Sequence, residues 1–180
     1  MKLLTLKFIL IFIYLISSSS SYAIQQPNLK NLVIHKDPKK LEKINFKNIN
    51  NEIINLNKFE NSLVIINFWA TWCAPCVKEI PHFEYVNQKY SSDSLKVILA
   101  SFDYPSQIDS KLIPFLNKNE IKSDVVLIDD LNIRDWMSVV SESWDGAIPA
   151  TLIINKRSQK FYPQVFDRVK LENELSFFLE

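Results

Sequence analysis

The sequence predicts an α/β sandwich with a mixed central sheet, and three features of the chain carry this prediction. Short apolar runs typical of strands alternate with longer segments whose apolar residues recur at helical spacing. Two of the runs, 63–69 and 95–101, are predicted to be buried strands, and the first is apolar on both faces, as expected for a strand covered on both sides. Two pairs of short runs indicate hairpins, which add antiparallel strands to the sheet.

The other elements follow from similar local signals. The first hairpin joins 43–48 to 52–56 through Asn50 and Asn51, because asparagine tolerates the left-handed backbone that a tight turn requires. The remaining elements, in chain order, are a helix over 77–90, a helix with apolar residues over 108–116, a strand over 124–128, a helix over 133–140, a hairpin joining 151–155 to 161–166, and a helix from about 169 to 179.

Two further signals concern the course of the predicted helices. Pro81 lies inside the helix over 77–90 and should kink it, since proline has no N–H for the helical hydrogen bond. Ser106 and Asp109 have the spacing of a capping box, with Asp in place of Glu or Gln. They predict that the helix around 108–116 begins beside Ser106.

The start of the chain resembles a secretory signal peptide rather than part of the fold. Lys2 and Lys7 form a positive start, an apolar core follows over 8–16, and small residues at Ser21 and Ala23 match a cleavage pattern. The apolar core is short against the ~20 residues that a spanning helix needs. We therefore expect cleavage after Ala23, and an uncleaved membrane anchor is the alternative.

The domain organisation follows from the leader and the composition. Residues 1–23 are the leader, 24–42 form a polar, extended lead-in, and 43–180 form one domain with an ordinary core. Loss of the two leader lysines takes the formal charge from +1 to −1. A near-neutral domain has no electrostatic footprint for nucleic acid, so we expect no nucleic-acid partner.

Two cysteines, Cys73 and Cys76, lie between the predicted strand over 63–69 and a predicted helix. In this context Cys-x-x-Cys spacing indicates redox chemistry. Export would place the pair in a compartment that permits disulfides, yet cysteines this close cannot join distant parts of a fold. A zinc site would need a second ligand pair, and neither His35 nor His82 has suitable spacing, so we expect no metal.

The position of each cysteine predicts its role. Cys73 would be the attacking nucleophile, because the free N–H groups and positive dipole end of a helix stabilise a thiolate there. Cys76, one helical turn further on, should be more buried and act as the resolving thiol that attacks the mixed disulfide. The product is a Cys73–Cys76 disulfide, and no dissociable cofactor is needed because the pair itself holds the electrons.

The stretch Asn-Phe-Trp-Ala-Thr-Trp-Cys-Ala-Pro-Cys-Val-Lys-Glu-Ile-Pro at 67–81 resembles the active-site signature of thioredoxin-fold thiol:disulfide oxidoreductases. The likeness is closest to their exported TlpA/ResA/CcmG group. That group combines a leader or anchor, an added N-terminal hairpin, a W-C-x-P-C-x-x-E motif and a late X-Pro before a strand, and all four features occur here in order. The resemblance covers about 41–180 and implies a thioredoxin-like three-layer sandwich with an added N-terminal β-hairpin.

The resemblance assigns roles to two more residues near the motif. Glu79 matches the group's helix-start glutamate and is the candidate to manage the proton on Cys76. The alternative is an acid that only favours the helix dipole. Asn67 departs from thioredoxin, where a buried acid occupies this position, so a proton route through it is missing. Its alternative is a buried amide that its neighbours satisfy.

The resemblance also implies a substrate groove. Ile148 and Pro149 match a cis-proline element that faces the cysteine pair and exposes the Ile148 backbone for strand-like pairing with a peptide. The alternative is a trans proline in an ordinary turn. Trp72 is a candidate apolar wall, and Ala74 and Pro75 are candidate substrate contacts. In this group, a proline between the cysteines accompanies reducing members.

The other tryptophans are interpreted differently. Trp144 is a second candidate wall of the groove, with simple core packing as an equal alternative. Trp69 and Trp136 are assigned to the core.

Together these features predict an exported thiol:disulfide oxidoreductase that works mainly as a reductant. Its substrates would be disulfides in other exported proteins, with apocytochrome c or a copper-site precursor as family-level examples. A membrane protein that carries thiol electrons across the bilayer would recharge it. We expect a monomer in the periplasm, or one anchored facing it if the leader is retained.

Three alternatives remain for the function. One is an oxidant or isomerase that introduces or rearranges disulfides. Another is a non-catalytic copper-binding module, which the lack of Met or His neighbours near the motif disfavours. A peroxidase is disfavoured because the motif pairs two cysteines on one helical turn.

Overall fold

The computed structural model describes residues 45–59, 61–90, 94–128 and 133–179. The strands are β1 (Asn45–Asn48), β2 (Ile53–Asn55), β3 (Leu63–Trp69), β4 (Leu95–Ser101), β5 (Asp124–Leu127), β6 (Ala150–Ile154) and β7 (Gln159–Tyr162). The α-helices are α1 (Ala74–Lys89), α2 (Ile113–Lys118), α3 (Ile133–Val140) and α4 (Arg168–Leu179). Short 3₁₀ or π-helical turns are Leu56–Phe59, Pro105–Gln107 and Ile108–Leu112. The predicted leader and lead-in, 1–23 and 24–42, lie outside the described residues.

One mixed sheet of seven strands runs through the described part of the chain in the order β2-β1-β5-β4-β3-β6-β7. Strands β3, β4 and β5 are parallel to one another, and β1, β2, β6 and β7 join through antiparallel pairs. The strands predicted over 63–69 and 95–101 are confirmed at the same bounds, and every residue of β3 is buried. This burial is what a central strand covered on both faces requires.

Helices cover both faces of the sheet and complete three layers. Helices α1, α2 and α4 pack against one face, with buried contacts from Ile80, Leu116 and Leu171. The opposite face packs against α3, through Val140, and against Trp144. Successive residues of a strand point to opposite faces, so β3 contributes to both cores. The predicted three-layer sandwich is confirmed. In the described residues no helix is both long and apolar enough to cross a membrane.

The added N-terminal hairpin is confirmed, and its second strand, Ile53–Asn55, is two residues shorter than predicted. Asn51 has a φ of 63°, the left-handed conformation expected at this turn. The Asn48 side chain stabilises the turn, because its Oδ1 accepts from the backbone N–H groups of Asn50 and Glu52, each at 2.9 Å. The hairpin adds to the sheet edge beside β5.

The predicted bounds of the second strand of the late hairpin, 161–166, are wrong. The observed strand β7, Gln159–Tyr162, begins two residues earlier and ends four residues earlier. The turn is tighter than expected. Asn155 Oδ1 accepts from the N–H groups of Arg157 and Ser158, each at 2.9 Å, so pairing resumes with Gln159 opposite Ile154. The chain beyond β7 is then free to carry Phe166 into the core.

The predicted capping box is also wrong. The helical segment begins at Pro105, after an extended Tyr104 with no side-chain cap, so Ser106 lies within the first turn instead of before it. Proline suits the first helical position, because its fixed φ is helical and its missing N–H would have no partner there. Helix α1 begins at Ala74, three residues before the predicted start, and continues through Pro81 as one helix.

The topology brings the ends of three strands to one edge of the sheet. Parallel β3 and β4 end there together, since Trp69 pairs with Ser101. Antiparallel β6 begins there, since Ala150 pairs with Phe68. Helix α1 also starts at this edge, with four residues between it and the end of β3. The cysteine motif and Pro149, far apart in sequence, therefore lie at the same edge.

Candidate active site

A short turn places Cys73 at the start of α1. The Cys73 N–H donates to the Ala70 carbonyl at 3.1 Å, and the Cys73 carbonyl accepts from the Val77 N–H at 3.0 Å. Cys73 is the N-cap residue of the helix, with an extended backbone, and its Sγ accepts from the Cys76 N–H at 3.4 Å. The sulfur thus occupies the position of a capping oxygen, where unpaired N–H groups favour negative charge.

Cys73 and Cys76 are joined by a disulfide, and their Cα atoms lie 5.3 Å apart. The two sulfurs differ in access, since Cys73 is 7% exposed and Cys76 is fully buried. The flanking residues Trp72, Ala74 and Pro75 are all exposed, and Trp72 has 57% of its surface accessible. Cys76 is therefore the more buried of the two cysteines, as predicted.

The Ile148–Pro149 peptide bond is cis. The expectation of a cis bond is confirmed, and the alternative of a trans proline is excluded. Ile148 is half-buried and contacts both hydrophobic cores, whereas Pro149 directly precedes β6. Because Ala150 pairs with Phe68, the cis-proline turn lies beside the end of the strand that leads into the cysteine motif.

Glu79 lies on α1 three residues after Cys76 and is buried, with only 1% of its surface exposed. Its Oε1 accepts from Asn67 Nδ2 at 2.7 Å, and its Oε2 accepts from the Phe166 N–H at 2.8 Å. Burial raises the pKa of Glu79 from its ordinary 4.5 to about 7, although both hydrogen bonds act in the opposite direction. The alternative is a surface or N-terminal-turn acid that only favours the helix dipole. The burial of Glu79 excludes its surface form.

Asn67 is fully buried and connects α1 to β6. Its Nδ2 lies within hydrogen-bond distance of Thr151 Oγ1, at 3.3 Å, and of the Ala150 carbonyl, at 3.5 Å, besides Glu79. Its Oδ1 has no hydrogen-bond partner among the described residues. The prediction that neighbouring groups satisfy this buried amide is therefore only half correct. Several acceptors lie close to Nδ2, and no donor among the described residues reaches Oδ1.

Trp144 shapes the loop before the cis-proline turn. Its ring is buried, with its centroid 4.5 Å from that of Phe68, so core packing is observed for this side chain. Its indole N–H donates to the Ala147 carbonyl at 2.9 Å. In the same loop Asp145 Oδ1 accepts from the Ala147 N–H, and Gly146 has a φ of 89°. Trp69 is buried in the core as predicted, and the Trp136 side chain lies outside the described residues.

Sequence reasoning missed a buried carboxylate at the same edge. Asp103, 3% exposed, lies two residues beyond β4 and accepts from both the N–H and the hydroxyl of Thr71, at 3.0 and 2.5 Å. The Ser101 hydroxyl donates to the same carboxylate at 2.7 Å. Polar residues just beyond the carboxyl ends of neighbouring parallel strands converge at one edge, and this signal was present in the sequence.

In the described part of the chain, no group of three or more His, Cys, Asp or Glu side chains is arranged to hold a metal ion. His82 lies half-buried on α1, and His35 lies outside the described residues.

Comparisons with known proteins identify the family and the fold. A family model described as the AhpC/TSA family matches residues 38–159. The thiol-disulfide oxidoreductase ResA of Halalkalibacterium halodurans is 25% identical over 118 residues, which are 64% of this chain and 62% of that protein. Sporulation thiol-disulfide oxidoreductase A of Bacillus subtilis is 25% identical over 110 residues, 59% of this chain and 63% of that protein. The matches thus span less than two thirds of the length of these relatives.

Solved structures show the same fold. A thiol:disulfide interchange protein of the thioredoxin family from Chlorobium tepidum TLS superposes with a TM-score of 0.64 at 16% identity, covering 76% of this chain and 93% of that one. StoA from Bacillus subtilis gives a TM-score of 0.55 at 22% identity, covering 72% and 93%. The thioredoxin-like fold and the resemblance to this group of proteins are confirmed.

Proposed function

Since the chain belongs to the AhpC/TSA family, we propose that it is a thioredoxin-fold thiol:disulfide oxidoreductase whose redox centre is the Cys73–Cys76 pair. One observation carries this proposal. Cys73, 7% exposed at the N-cap of α1, is joined by a disulfide to the fully buried Cys76 one turn further on. Such a pair can exchange electrons with a protein disulfide without a dissociable cofactor, and the relatives named thiol-disulfide oxidoreductases support the same chemistry.

The reaction proceeds in two exchange steps that balance electrons and protons. In the reducing direction, the Cys73 thiolate attacks a substrate disulfide, a mixed disulfide forms, and the second substrate sulfur leaves as a thiolate. Cys76 then loses its proton and attacks Cys73 Sγ. The Cys73–substrate bond breaks, and the Cys73–Cys76 disulfide forms. The substrate gains two electrons and leaves as two thiolates, which take up protons from the solvent. The protein loses two electrons and the proton of Cys76.

Glu79 is the proposed proton acceptor for Cys76. The two residues are three positions apart on α1, on nearly the same helix face, and both are buried. A buried thiol cannot easily pass its proton to water, so a nearby base is needed before it can attack. The pKa of Glu79, raised to about 7 by burial, is suited to accepting and releasing a proton near neutral pH.

The substrate segment is proposed to lie along the cis-proline turn. The exposed side chains of Trp72, Ala74 and Pro75 surround Cys73, and an extended peptide beside them would pair with the Ile148 backbone before Pro149. Trp144 is buried and donates to the Ala147 carbonyl, so it supports the loop that precedes this turn.

The cellular setting is part of the same proposal. The leader pattern over 1–23 favours export, to the periplasm or to a membrane-anchored form facing it. There the protein would mainly reduce disulfides of other exported proteins, for example in cytochrome c or copper-site maturation. A membrane thiol-electron donor would return it to the dithiol state, and it would act as a monomer. Pro75 between the cysteines favours this reducing direction over the oxidant or isomerase alternative.

A trapping experiment tests the proposal. A Cys76→Ser variant should accumulate mixed disulfides through Cys73, visible as thiol-sensitive adducts on non-reducing gels and identifiable by mass spectrometry. Cys73→Ser is the matched control and should form none. Purified wild-type protein should also reduce insulin disulfides, and either substitution should abolish this activity. A protein that forms no adducts and leaves insulin intact would disprove the enzyme proposal and leave the copper-binding module.

The direction of electron flow needs a separate measurement. Equilibration of the Cys73–Cys76 pair with glutathione gives its reduction potential. A value near the thioredoxin range of about −270 mV supports a reductant, whereas a value near −120 mV would establish the oxidant alternative.

A further inference from the structure

Among the described residues, the carboxylate of Asp103 binds the turn that presents Cys73 from outside. Only three residues, Ala70, Thr71 and Trp72, separate β3 from Cys73. Within the turn, the Cys73 N–H donates a hydrogen bond to the Ala70 carbonyl. Asp103 accepts from both the backbone N–H and the side-chain hydroxyl of Thr71.

The fold places this carboxylate in register with the turn. Trp69 at the end of β3 pairs with Ser101 at the end of β4, and the Phe102 N–H donates to the Trp69 carbonyl at 2.8 Å. Thr71 and Asp103 are each two residues beyond this last pair, so they meet. Ser101 fixes the aspartate rotamer, because its hydroxyl donates to Asp103 Oδ2 and accepts from the Asp103 N–H.

We propose that Asp103 is a positioning residue for the nucleophile. It holds Thr71, and through Thr71 it holds the turn that keeps Cys73 Sγ at the N-cap of α1. The proposal rests on the proposed function in one respect, since it matters for catalysis only if Cys73 is the attacking thiol. With Thr71 released, the turn loses its tie to β4, and Cys73 Sγ spends less time within reach of the Cys76 N–H.

The direction of the effect separates positioning from a direct effect of charge. The helix N-terminus stabilises the Cys73 thiolate only while the sulfur stays close to it, so a loosened turn makes Cys73 less reactive at low pH. Loss of a nearby negative charge would instead favour the thiolate and make Cys73 more reactive. The buried carboxylates among the described residues are Glu79 and Asp103, and Glu79 remains in every variant below.

The test compares three substitutions in the full chain carrying Cys76→Ser, so that Cys73 is the only thiol. Thr71→Val keeps the shape and the negative charge but removes the hydroxyl donor to Asp103. Thr71→Ser keeps both donors and is the matched control. Asp103→Asn removes the charge and weakens the tie. The rate of Cys73 alkylation by iodoacetamide is measured from pH 5 to pH 9.

We expect Thr71→Val and Asp103→Asn to move the midpoint of the alkylation profile to higher pH. The rate at low pH should fall by roughly threefold to tenfold, the range that an interaction with a helix terminus implies. Thr71→Ser should retain the wild-type profile. With both cysteines present, Thr71→Val should also make the pair more reducing against glutathione, because the reduced form loses thiolate stabilisation.

Two results would overturn the proposal. If Asp103→Asn moves the midpoint to lower pH while Thr71→Val leaves it unchanged, Asp103 acts through its charge alone. If no variant moves the midpoint and only thermal stability falls, the contact is merely structural. Should Asp103→Asn not fold, the pair Thr71→Val and Thr71→Ser decides. Alkylation needs no disulfide substrate, so wild-type protein that fails to reduce insulin would disprove the proposed function without affecting this result.

Discussion

Glu79 and Asp103 are the two carboxylates buried in the described residues, and they are surrounded in different ways. Three donors reach Asp103, two of them from Thr71. Only two donors reach Glu79, an amide on one oxygen and a backbone N–H on the other, and burial raises its pKa to about 7. The difference teaches that burial alone does not define the role of an acid near a redox centre.

The surroundings of each acid fit a different task. Asp103 joins the ends of two neighbouring strands through short, local contacts, so its carboxylate is suited to holding a turn. Glu79 lies in the helix that carries the cysteines and accepts hydrogen bonds from Asn67 on β3 and from Phe166 in the segment before α4. Its pKa of about 7 means that it gains or loses its proton near neutral pH. The first acid is expected to act through geometry and the second through its proton.

The largest expected effect is the loss of stability on Asp103→Ala. The substitution leaves the Thr71 N–H, the Thr71 hydroxyl and the Ser101 hydroxyl without their acceptor, and an unsatisfied buried donor is costly. We expect the free energy of unfolding to fall by about 2–4 kcal/mol, measured by urea denaturation of the oxidised protein at pH 7. Exposed Asp109→Asn is the control and should change it little. A loss below the control's would contradict the structural role of Asp103.

Glu79 should instead make stability depend on pH. Its folded pKa of about 7 lies above its ordinary 4.5, so the folded state holds the proton more tightly than the unfolded state. The stabilisation is complete below about pH 4.5 and is lost as pH rises to about 7, by up to roughly 3 kcal/mol. Urea denaturation from pH 4 to pH 8 should show this fall in wild-type protein and not in Glu79→Gln. The same fall in both proteins would assign it to another group.

The sequence predicted those features of the fold and the site that depend on local signals. The strand over 63–69, the cysteine motif and Glu79 lie within one continuous stretch, so a specific motif identifies them together. The cis bond at Pro149 came from the resemblance, because proline alone leaves the trans form favoured.

What the sequence could not supply depends on contacts between distant segments. The burial of Glu79 depends on the Phe166 N–H, 87 residues away, and on Asn67. The Asp103–Thr71 contact depends on two strands ending at the same level, which no spacing along the chain reveals. The end of β7 was misplaced for a similar reason, since the Asn155 side chain sets where pairing resumes.

The next largest expected effect is the loss of disulfide-reducing activity in Glu79→Gln. If the carboxylate takes the proton from Cys76, the rate of insulin reduction should rise with pH around 7 in wild-type protein, as Glu79 loses its own proton. The amide cannot act as a base, so the rise should disappear and the rate above pH 7 should fall by about 100-fold. Exposed Glu142→Gln should retain the wild-type profile. An unchanged profile in Glu79→Gln would end the proton role.

The smallest expected effect is that of Asn67, which changes the pKa of Glu79 and does not itself accept the proton of Cys76. Asn67 Nδ2 donates to Glu79 Oε1 at 2.7 Å, a contact that favours the carboxylate and holds the pKa of Glu79 down. Asn67→Leu has a similar size and no donor, so the pKa of Glu79 should rise further. One hydrogen bond of ~1 kcal/mol corresponds to a shift of somewhat less than one pH unit in the midpoint of the rate profile.

Thr151→Val is the matched control for Asn67→Leu, because it removes another neighbour of the amide and leaves Glu79 untouched. Its midpoint should stay at the wild-type value, measured by insulin reduction over the same pH range. A downward shift in Asn67→Leu would mean that the orphaned Asn67 Oδ1, which faces no donor in the described residues, affects the acid more than the N–H does. The sign of this small shift therefore decides which end of the amide controls the proton on Glu79.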